Sequence, residues 1–151
     1  MKALPLWQPW ATLVAIGAKR VETRGFPPSR LGLRYGQRIA IHATKTDREL
    51  RFCSLEYFRD HVPDPSVLPL GAVIATCTLV RASQITEESA RQLLERNPQE
   101  HAFGDYAPGR WAWVLAEVEA LPEPIPLKGS QGTFDAPDEL LGTEPVQGRL
   151  L

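Results

Sequence analysis

The chain of 151 residues carries 17 Lys and Arg against 18 Asp and Glu, so its formal charge is −1. Such a balance excludes a general polyanion binder, and a hydrophobic content of 43% argues against intrinsic disorder. No apolar stretch approaches the ~20 residues of a membrane span and no signal-peptide pattern is present, so we expect a cytoplasmic protein, with a single domain over residues 1–151.

The charges are unevenly distributed along the chain. Residues 1–60 hold 11 of the basic side chains and 5 of the acidic ones. This part either forms a local basic face or is simply solvated surface. Cys53 and Cys77 are not spaced as a metal or redox pair, and the three histidines do not cluster. We therefore expect no metal and no cofactor.

The amino-terminal part predicts two strands around a short helix. Residues 2–7 are apolar and typical of a strand, and residues 9–17 predict a helix buried on most sides. Residues 20–24 predict a second strand. Because side chains alternate along a strand, Glu22 and Arg24 should share one face.

The next segment predicts a strand followed by a helix. In the strand, residues 37–44, His42 lies on the face opposite Ile41. The capping-box pattern that begins at Thr46 predicts a helix reaching about Asp60.

The carboxyl-terminal half predicts two long strands and a helix. Residues 71–85 are β-branched and apolar, and residues 111–121 predict the second strand. Between them, residues 86–98 predict a helix capped by Thr86. The pattern indicates a single α+β domain, with a small curled β-barrel of about five to six strands and flanking helices.

The stretch "GAKRVETR" carries a family resemblance. It matches all fixed positions of the pattern G-x-K-x-x-E-x-R of the ASCH domain, a branch of the PUA-like superfamily. These positions are Gly17, Lys19, Glu22 and Arg24. The segments "LPLWQPW", "IAIHATK" and "GDYAPGRWAWVL" also resemble the family. The resemblance covers residues 2–127 and leaves residues 128–151 as an extension that we expect to pack on the domain.

This resemblance implies a PUA-like β-barrel with a central cleft and a role in RNA or nucleoside chemistry. Some small ASCH proteins are amidohydrolases acting on N4-acetylcytidine, and one is reported as a ribonuclease. In the amidohydrolases a lysine matching Lys19 is the catalytic candidate. Glu22 departs from their pattern, which has threonine at that position. For their catalytic carboxylate, Asp105 is the substitute that this chain offers.

The charged residues of the pattern suit either chemistry or structure. A partly desolvated Lys19 would have a lowered pKa and suit catalysis, with Glu22 or Asp105 moving the proton. Glu22 could instead accept from a cytosine amine, while Arg24 binds a phosphate or a base edge. The alternative is that Glu22 and Arg24 form an ion pair that anchors their strand.

A wider set of side chains has types suited to a nucleotide ligand. Aromatic rings stack on unpaired bases, cations bind phosphates, and histidine titrates near neutrality. The candidate ligand-binding residues are Trp7, Arg24, His42, Lys45, Tyr106 and Arg110. Trp111 and Trp113 are further stacking candidates, with the alternative that the tryptophans belong to the core.

Three functions follow as hypotheses. The first is an RNA- or modified-nucleoside-binding protein with a charged cleft. The second is a metal-independent amidohydrolase that deacylates an N4-acylated cytidine-type nucleoside; a ribonuclease has less support, because His42 has no second histidine near it in sequence. The third is a protein-interaction adaptor in transcription or translation, since the family takes its name from a transcription coactivator. The sequence leaves the oligomeric state open.

Overall fold

A computed structural model describes residues 1–141 of the chain, without the side chains of residues 139 and 140. In this part six strands form one mixed sheet. They are β1 (Lys2–Leu6), β2 (Val21–Arg24), β3 (Gln37–Ala43), β4 (Ala72–Gln84), β5 (Trp111–Pro126) and β6 (Phe134–Asp135). The α-helices are α1 (Trp10–Ala15), α2 (Glu87–Arg96) and α3 (Pro98–Ala102).

The sheet has the order β2-β5-β4-β3-β1-β6. The pair β1–β3 is parallel and the other four pairs are antiparallel. The predicted α+β class and strand number are thus confirmed. In the described residues the sheet is open, with β2 and β6 at its edges, so the barrel is curled but not closed by hydrogen bonds between strands.

The sheet curls strongly enough to bring distant strands together. Nη2 of Arg24 on β2 donates to the backbone oxygen of Pro5 on β1 at 2.9 Å, although three strands lie between them in the sheet. Register shifts at three points between β4 and β5 bend the long hairpin. At one of them Glu117 has φ of 51°, and its carbonyl accepts from Arg38 at 2.6 Å.

The main core lies between the sheet and α1. Leu4, Val14, Ile39, Leu79 and Trp113 are all fully buried there. The Trp113 indole donates to the backbone oxygen of Phe26 at 3.0 Å, which satisfies its N–H. Its interpretation as a core residue is confirmed.

The helix predicted from residue 46 to about Asp60 is wrong. The structure has a short 3-10 helix, Leu50–Ser54, and then turns in which Tyr57 has φ of 71°. Cys53 and Phe58 both bury against Leu13 and Phe103. On an α-helix, side chains five apart point about 140° away from each other, so one helix could not bury both.

The helix predicted over residues 86–98 is confirmed as α2, capped by Thr86 and Ser89. α2 ends at Arg96, and Pro98, the last residue of the predicted range, begins α3, whose first turn is capped by the Asn97 side chain. In the same way β5 extends to Pro126, beyond the predicted strand. No helix within residues 1–141 has the length and apolarity needed to cross a membrane. Residues 142–151 of the predicted extension lie outside the described part.

Candidate functional site

A cleft opens at one edge of the sheet, where β1 and β3 end side by side. Leu6 pairs with Ala43 in the parallel ladder, so the residues that follow each strand emerge at the same edge. Trp7 comes from β1, and Thr44 and Lys45 come from β3. The chain therefore places an aromatic ring, a hydroxyl and an ammonium together at the carboxyl ends of two neighbouring strands.

The cleft has a volume of about 1330 Å³. Its lining also includes β2, the segment after α3 and the segment that follows β5. Of the candidate residues named from the sequence, those that line it are Trp7, Glu22, Arg24, His42, Lys45, Asp105 and Arg110. Lys19 and Tyr106 do not line it. These candidate residues, which lie between positions 7 and 110 of the sequence, thus surround one cavity. Their role there stays a prediction.

Lys19 contacts Glu22 but does not reach the cleft, and it is 1% exposed. Its Nζ donates to the backbone oxygen of Val21 and is 3.7 Å from Glu22 Oε1. Burial lowers the pKa of the Lys19 ammonium, opposed mainly by the attraction of Glu22 and then of Glu100. A substrate in the cleft would therefore meet Glu22 and not the amine itself.

Glu22 and Arg24 form the ion pair that the strand alternation suggested. Nε of Arg24 donates to Glu22 Oε2 at 2.7 Å, and the guanidinium lies 5.6 Å from the centre of the Trp113 ring. Both side chains line the cleft. The structural and the ligand-binding interpretations are compatible, because Glu22 and Arg24 bond to each other and both side chains also line the cavity.

Glu100, which the sequence did not single out, completes this group of charges. Its carboxylate accepts from the backbone N–H groups of Arg20 at 2.8 Å and Val21 at 3.3 Å. Burial raises its pKa, while these two hydrogen bonds and the nearby Lys19 act in the opposite direction. We call Lys19, Glu22, Arg24 and Glu100 the paired cluster.

Asp105 and Arg110 lie on another side of the cleft, beside β2. Nε of Arg110 donates to the Asp105 backbone oxygen at 3.0 Å and lies 3.5 Å from its carboxylate. The Asp105 N–H in turn donates to the Thr23 hydroxyl at 3.0 Å. These bonds fix the segment after α3 to β2, leaving the Asp105 side chain exposed.

Tyr106 lies just outside the cleft and is 8% exposed. Its ring stacks on His101, with ring centres 5.4 Å apart, and burial raises the pKa of its hydroxyl, with Glu100 and Glu22 adding to the effect. In this position its ring is not available for stacking on a base in the cleft.

His42 and Thr44 on and beside the end of β3 carry polar atoms without partners. His42 is 1% exposed, and its Nε2 is 2.6 Å from the Leu127 backbone oxygen. Its Nδ1 and the Thr44 hydroxyl are both buried and have no hydrogen-bond partner among residues 1–141. We call these two residues the β3 wall. Buried polar atoms are usually paired, so this wall differs from the paired cluster.

The rim of the cleft is aromatic and basic. Trp7 is 47% exposed, and the Arg48 guanidinium lies 5.3 Å from the centre of its ring. Lys45 and Lys128 line the cleft and are exposed, and neither forms an ion pair within residues 1–141. Their charges are therefore available to a ligand.

Sequence reasoning missed part of this lining. Trp10 and Phe52 line the cleft, as does the segment of residues 126–132, which includes Lys128. The sequence feature that could have indicated this segment as part of a binding site is its mixture of lysine, glycine and serine. Within the described part, no three His, Cys, Asp or Glu side chains are grouped as a metal ion would require.

Solved structures resemble this architecture over nearly its whole length. The ASCH protein of Zymomonas mobilis matches with a TM-score of 0.56 at 20% identity, covering 92% of this chain and 89% of that one. The chain has the fold of an ASCH domain. A tyrosine-to-phenylalanine variant of that protein gives a TM-score of 0.57 at 19% identity, covering 94% of each chain. A serine-to-alanine variant gives 0.55 at 20% identity, covering 94% and 92%.

Nothing finer than the fold follows from this similarity, because the identities are near 20%. No protein-family model matches the chain, and no curated protein matches its sequence.

Proposed function

We propose that the cleft of this ASCH fold binds a nucleotide unit of single-stranded RNA or a free modified nucleoside. The observation that carries the proposal is the exposed Trp7 ring, which lines the cleft together with the exposed Lys45 and Lys128. An aromatic ring that stacks on a base, next to cations that attract phosphate, is a general means of holding unpaired nucleotides.

The inner charges suit the base and sugar better than the phosphate. Arg24 and Glu22 already neutralise each other, and Arg110 lies close to Asp105. Lys45 and Lys128 supply the net positive charge at the entrance instead. The cavity of about 1330 Å³ is large enough for a nucleotide.

The test is a fluorescence titration of the protein with a short single-stranded RNA at several salt concentrations. We expect binding to weaken with salt, with a log–log slope of about −0.7 for each phosphate contacted. Lys45→Ala should reduce that slope, and Trp7→Ala should weaken binding by about 1–3 kcal/mol.

The matched control is Lys2→Ala, because Lys2 is an exposed lysine paired with Asp135 on β6 and does not line the cleft. It should change neither affinity nor slope. The proposal fails if neither RNA nor nucleosides bind, or if the Lys2 and Lys45 variants behave alike and Trp7→Ala has no effect.

A deacylase is the second candidate, and the contact between Glu22 and buried Lys19 favours it. Glu22 faces the cleft and could take a proton from water, which would attack the acyl carbonyl and release the nucleoside amine and a carboxylic acid. Incubating the protein with N4-acetylcytidine should then yield cytidine and acetate. Glu22→Gln should abolish that product, and product formed at the native rate by this variant would exclude the mechanism.

A further inference from the structure

The polar atoms of the β3 wall indicate which hydrogen-bonding groups a ligand offers, which the charged side chains of the paired cluster do not. A carbonyl oxygen can only accept, so the 2.6 Å contact between His42 Nε2 and the Leu127 oxygen requires the proton on Nε2. In a neutral imidazole the other nitrogen, Nδ1, is then a bare acceptor. It is buried and has no hydrogen-bond partner in the part of the chain that the structure describes.

The ring cannot easily turn to satisfy Nδ1 in another way. The Leu127 bond holds one end, and the Phe134 ring packs against the imidazole at 82°, with ring centres 5.1 Å apart. Donor side chains such as Lys45 and Lys128 line the same cleft, but none of them bonds to Nδ1 in the described part of the chain. An N–H group from outside the protein would complete the site.

Gly129 covers this acceptor in the ligand-free protein. A Cβ built on Gly129 would lie 3.0 Å from His42 Nδ1 and 2.7 Å from Cε1, so the backbone reaches this position because it has no side chain. Leu127 is fixed by its N–H to Gly71, and Thr133 by its hydroxyl to Leu31. Between these anchors, residues 128–132 form no hydrogen bond in the described structure, so no hydrogen bond of theirs would have to break for them to move aside.

We infer that His42 Nδ1 accepts a hydrogen bond from an N–H group of the ligand, such as a nucleobase amine, when residues 128–132 move off the ring. This inference rests on the proposed function and sharpens it. The nucleobase N–H group that we test is the exocyclic amine, and His42 is the residue that should distinguish an amino-bearing base from a base of the same shape without the amine. The unpartnered Thr44 hydroxyl, two residues along, offers a second hydrogen bond to the same ligand.

The experiment compares cytidine with its 2-pyrimidinone riboside analogue, which lacks the amine and keeps the ring nitrogen and carbonyl. Each is titrated as the free nucleoside and as the single base of an otherwise abasic short RNA. All titrations are made at the same pH and ionic strength. The wild-type protein should bind the cytosine form about tenfold more tightly, as one hydrogen bond to a buried acceptor predicts.

His42→Gln is the informative variant, because its amide N–H can still reach the Leu127 oxygen while the acceptor at Nδ1 is lost. We expect it to bind cytidine as weakly as the analogue and to leave analogue binding unchanged. His61→Gln is the matched control, since His61 is exposed and does not line the cleft.

Equal wild-type affinities for the two bases would overturn the inference and leave the proposed function intact. An equal loss of both affinities in His42→Gln would also overturn it, by showing that His42 acts only through the fold. If neither base binds in either form, the proposed function itself fails.

Discussion

The paired cluster and the β3 wall are two buried polar regions of one cleft, and they differ in how completely their groups are bonded. In the paired cluster each charge has an opposite charge or backbone partners within hydrogen-bond range, as between Arg24 and Glu22 at 2.7 Å. In the β3 wall, His42 Nδ1 and the Thr44 hydroxyl have no such partner within the described residues. The first arrangement stabilises the fold by itself, whereas the second is completed by a ligand.

The largest expected effect comes from breaking the paired cluster at Lys19. Lys19→Met removes a buried cation and leaves Glu22 and Glu100 without it, so we expect a loss of about 3–5 kcal/mol in the free energy of unfolding. Urea denaturation measures this loss. Lys2→Met, which removes an exposed lysine, should cost less than about 1 kcal/mol. Equal losses in the two variants would show that the buried amine has no special role.

Glu100→Gln should have the next largest effect. The amide keeps the shape of the side chain but offers a weaker acceptor to the N–H groups of Arg20 and Val21. We expect the free energy of unfolding to fall by about 1–3 kcal/mol. Faster amide hydrogen exchange at Arg20 and Val21, compared with the rest of β2 and β5, would locate the effect. Unchanged exchange at both amides would contradict this role of Glu100.

Removing a polar group from the β3 wall should raise the free energy of unfolding. Thr44→Val replaces a buried hydroxyl that has no partner by a methyl group of similar size, so the free energy of unfolding should rise by about 1 kcal/mol. Thermal unfolding without ligand measures it. Thr23→Val is the contrasting variant, because the Thr23 hydroxyl accepts from Asp105 N at 3.0 Å and its loss should be destabilising. A destabilised Thr44→Val protein would mean that this hydroxyl is satisfied in solution.

The smallest expected effect is a change in pH dependence. Burial lowers the pKa of Lys19 below its ordinary 10.5, so between the two values the unfolded chain holds a proton that the folded protein has lost. The free energy of unfolding that Lys19 contributes therefore rises with pH in that window. Denaturation of the wild-type protein and of Lys19→Met at several alkaline pH values should show that the free energy of unfolding of the wild type rises with pH relative to that of the variant. A constant difference would mean that the pKa of Lys19 is not lowered.

Much of the fold could be predicted from local patterns. Alternation placed Glu22 and Arg24 together on β2, and the long apolar stretches predicted β4 and most of β5. Local patterns could not show that the helix predicted from residue 46 to about Asp60 is replaced by a short 3-10 helix and turns. That path of the chain depends on Cys53 and Phe58 packing against α1 and the end of α3.

The candidate site was predicted in part, for similar reasons. Trp7 and Lys45 follow strands whose parallel pairing brings them to one edge. The charges around Lys19 include Glu100, which lies far along the chain on α3, a helix that the sequence pattern did not predict. The cover that Gly129 provides over His42 is likewise a contact between distant segments, with no local pattern to reveal it.

The hydrogen bond from Arg24 to the Pro5 oxygen has a consequence for motion. It joins strands that the order of the sheet keeps apart, and it runs beside the cleft that both residues line. Opening this contact would release one link between β1 and β2 without breaking any backbone hydrogen bond of the sheet. Relaxation-dispersion signals of β1 and β2 on the microsecond-to-millisecond scale should change together when the Arg24 side chain is removed.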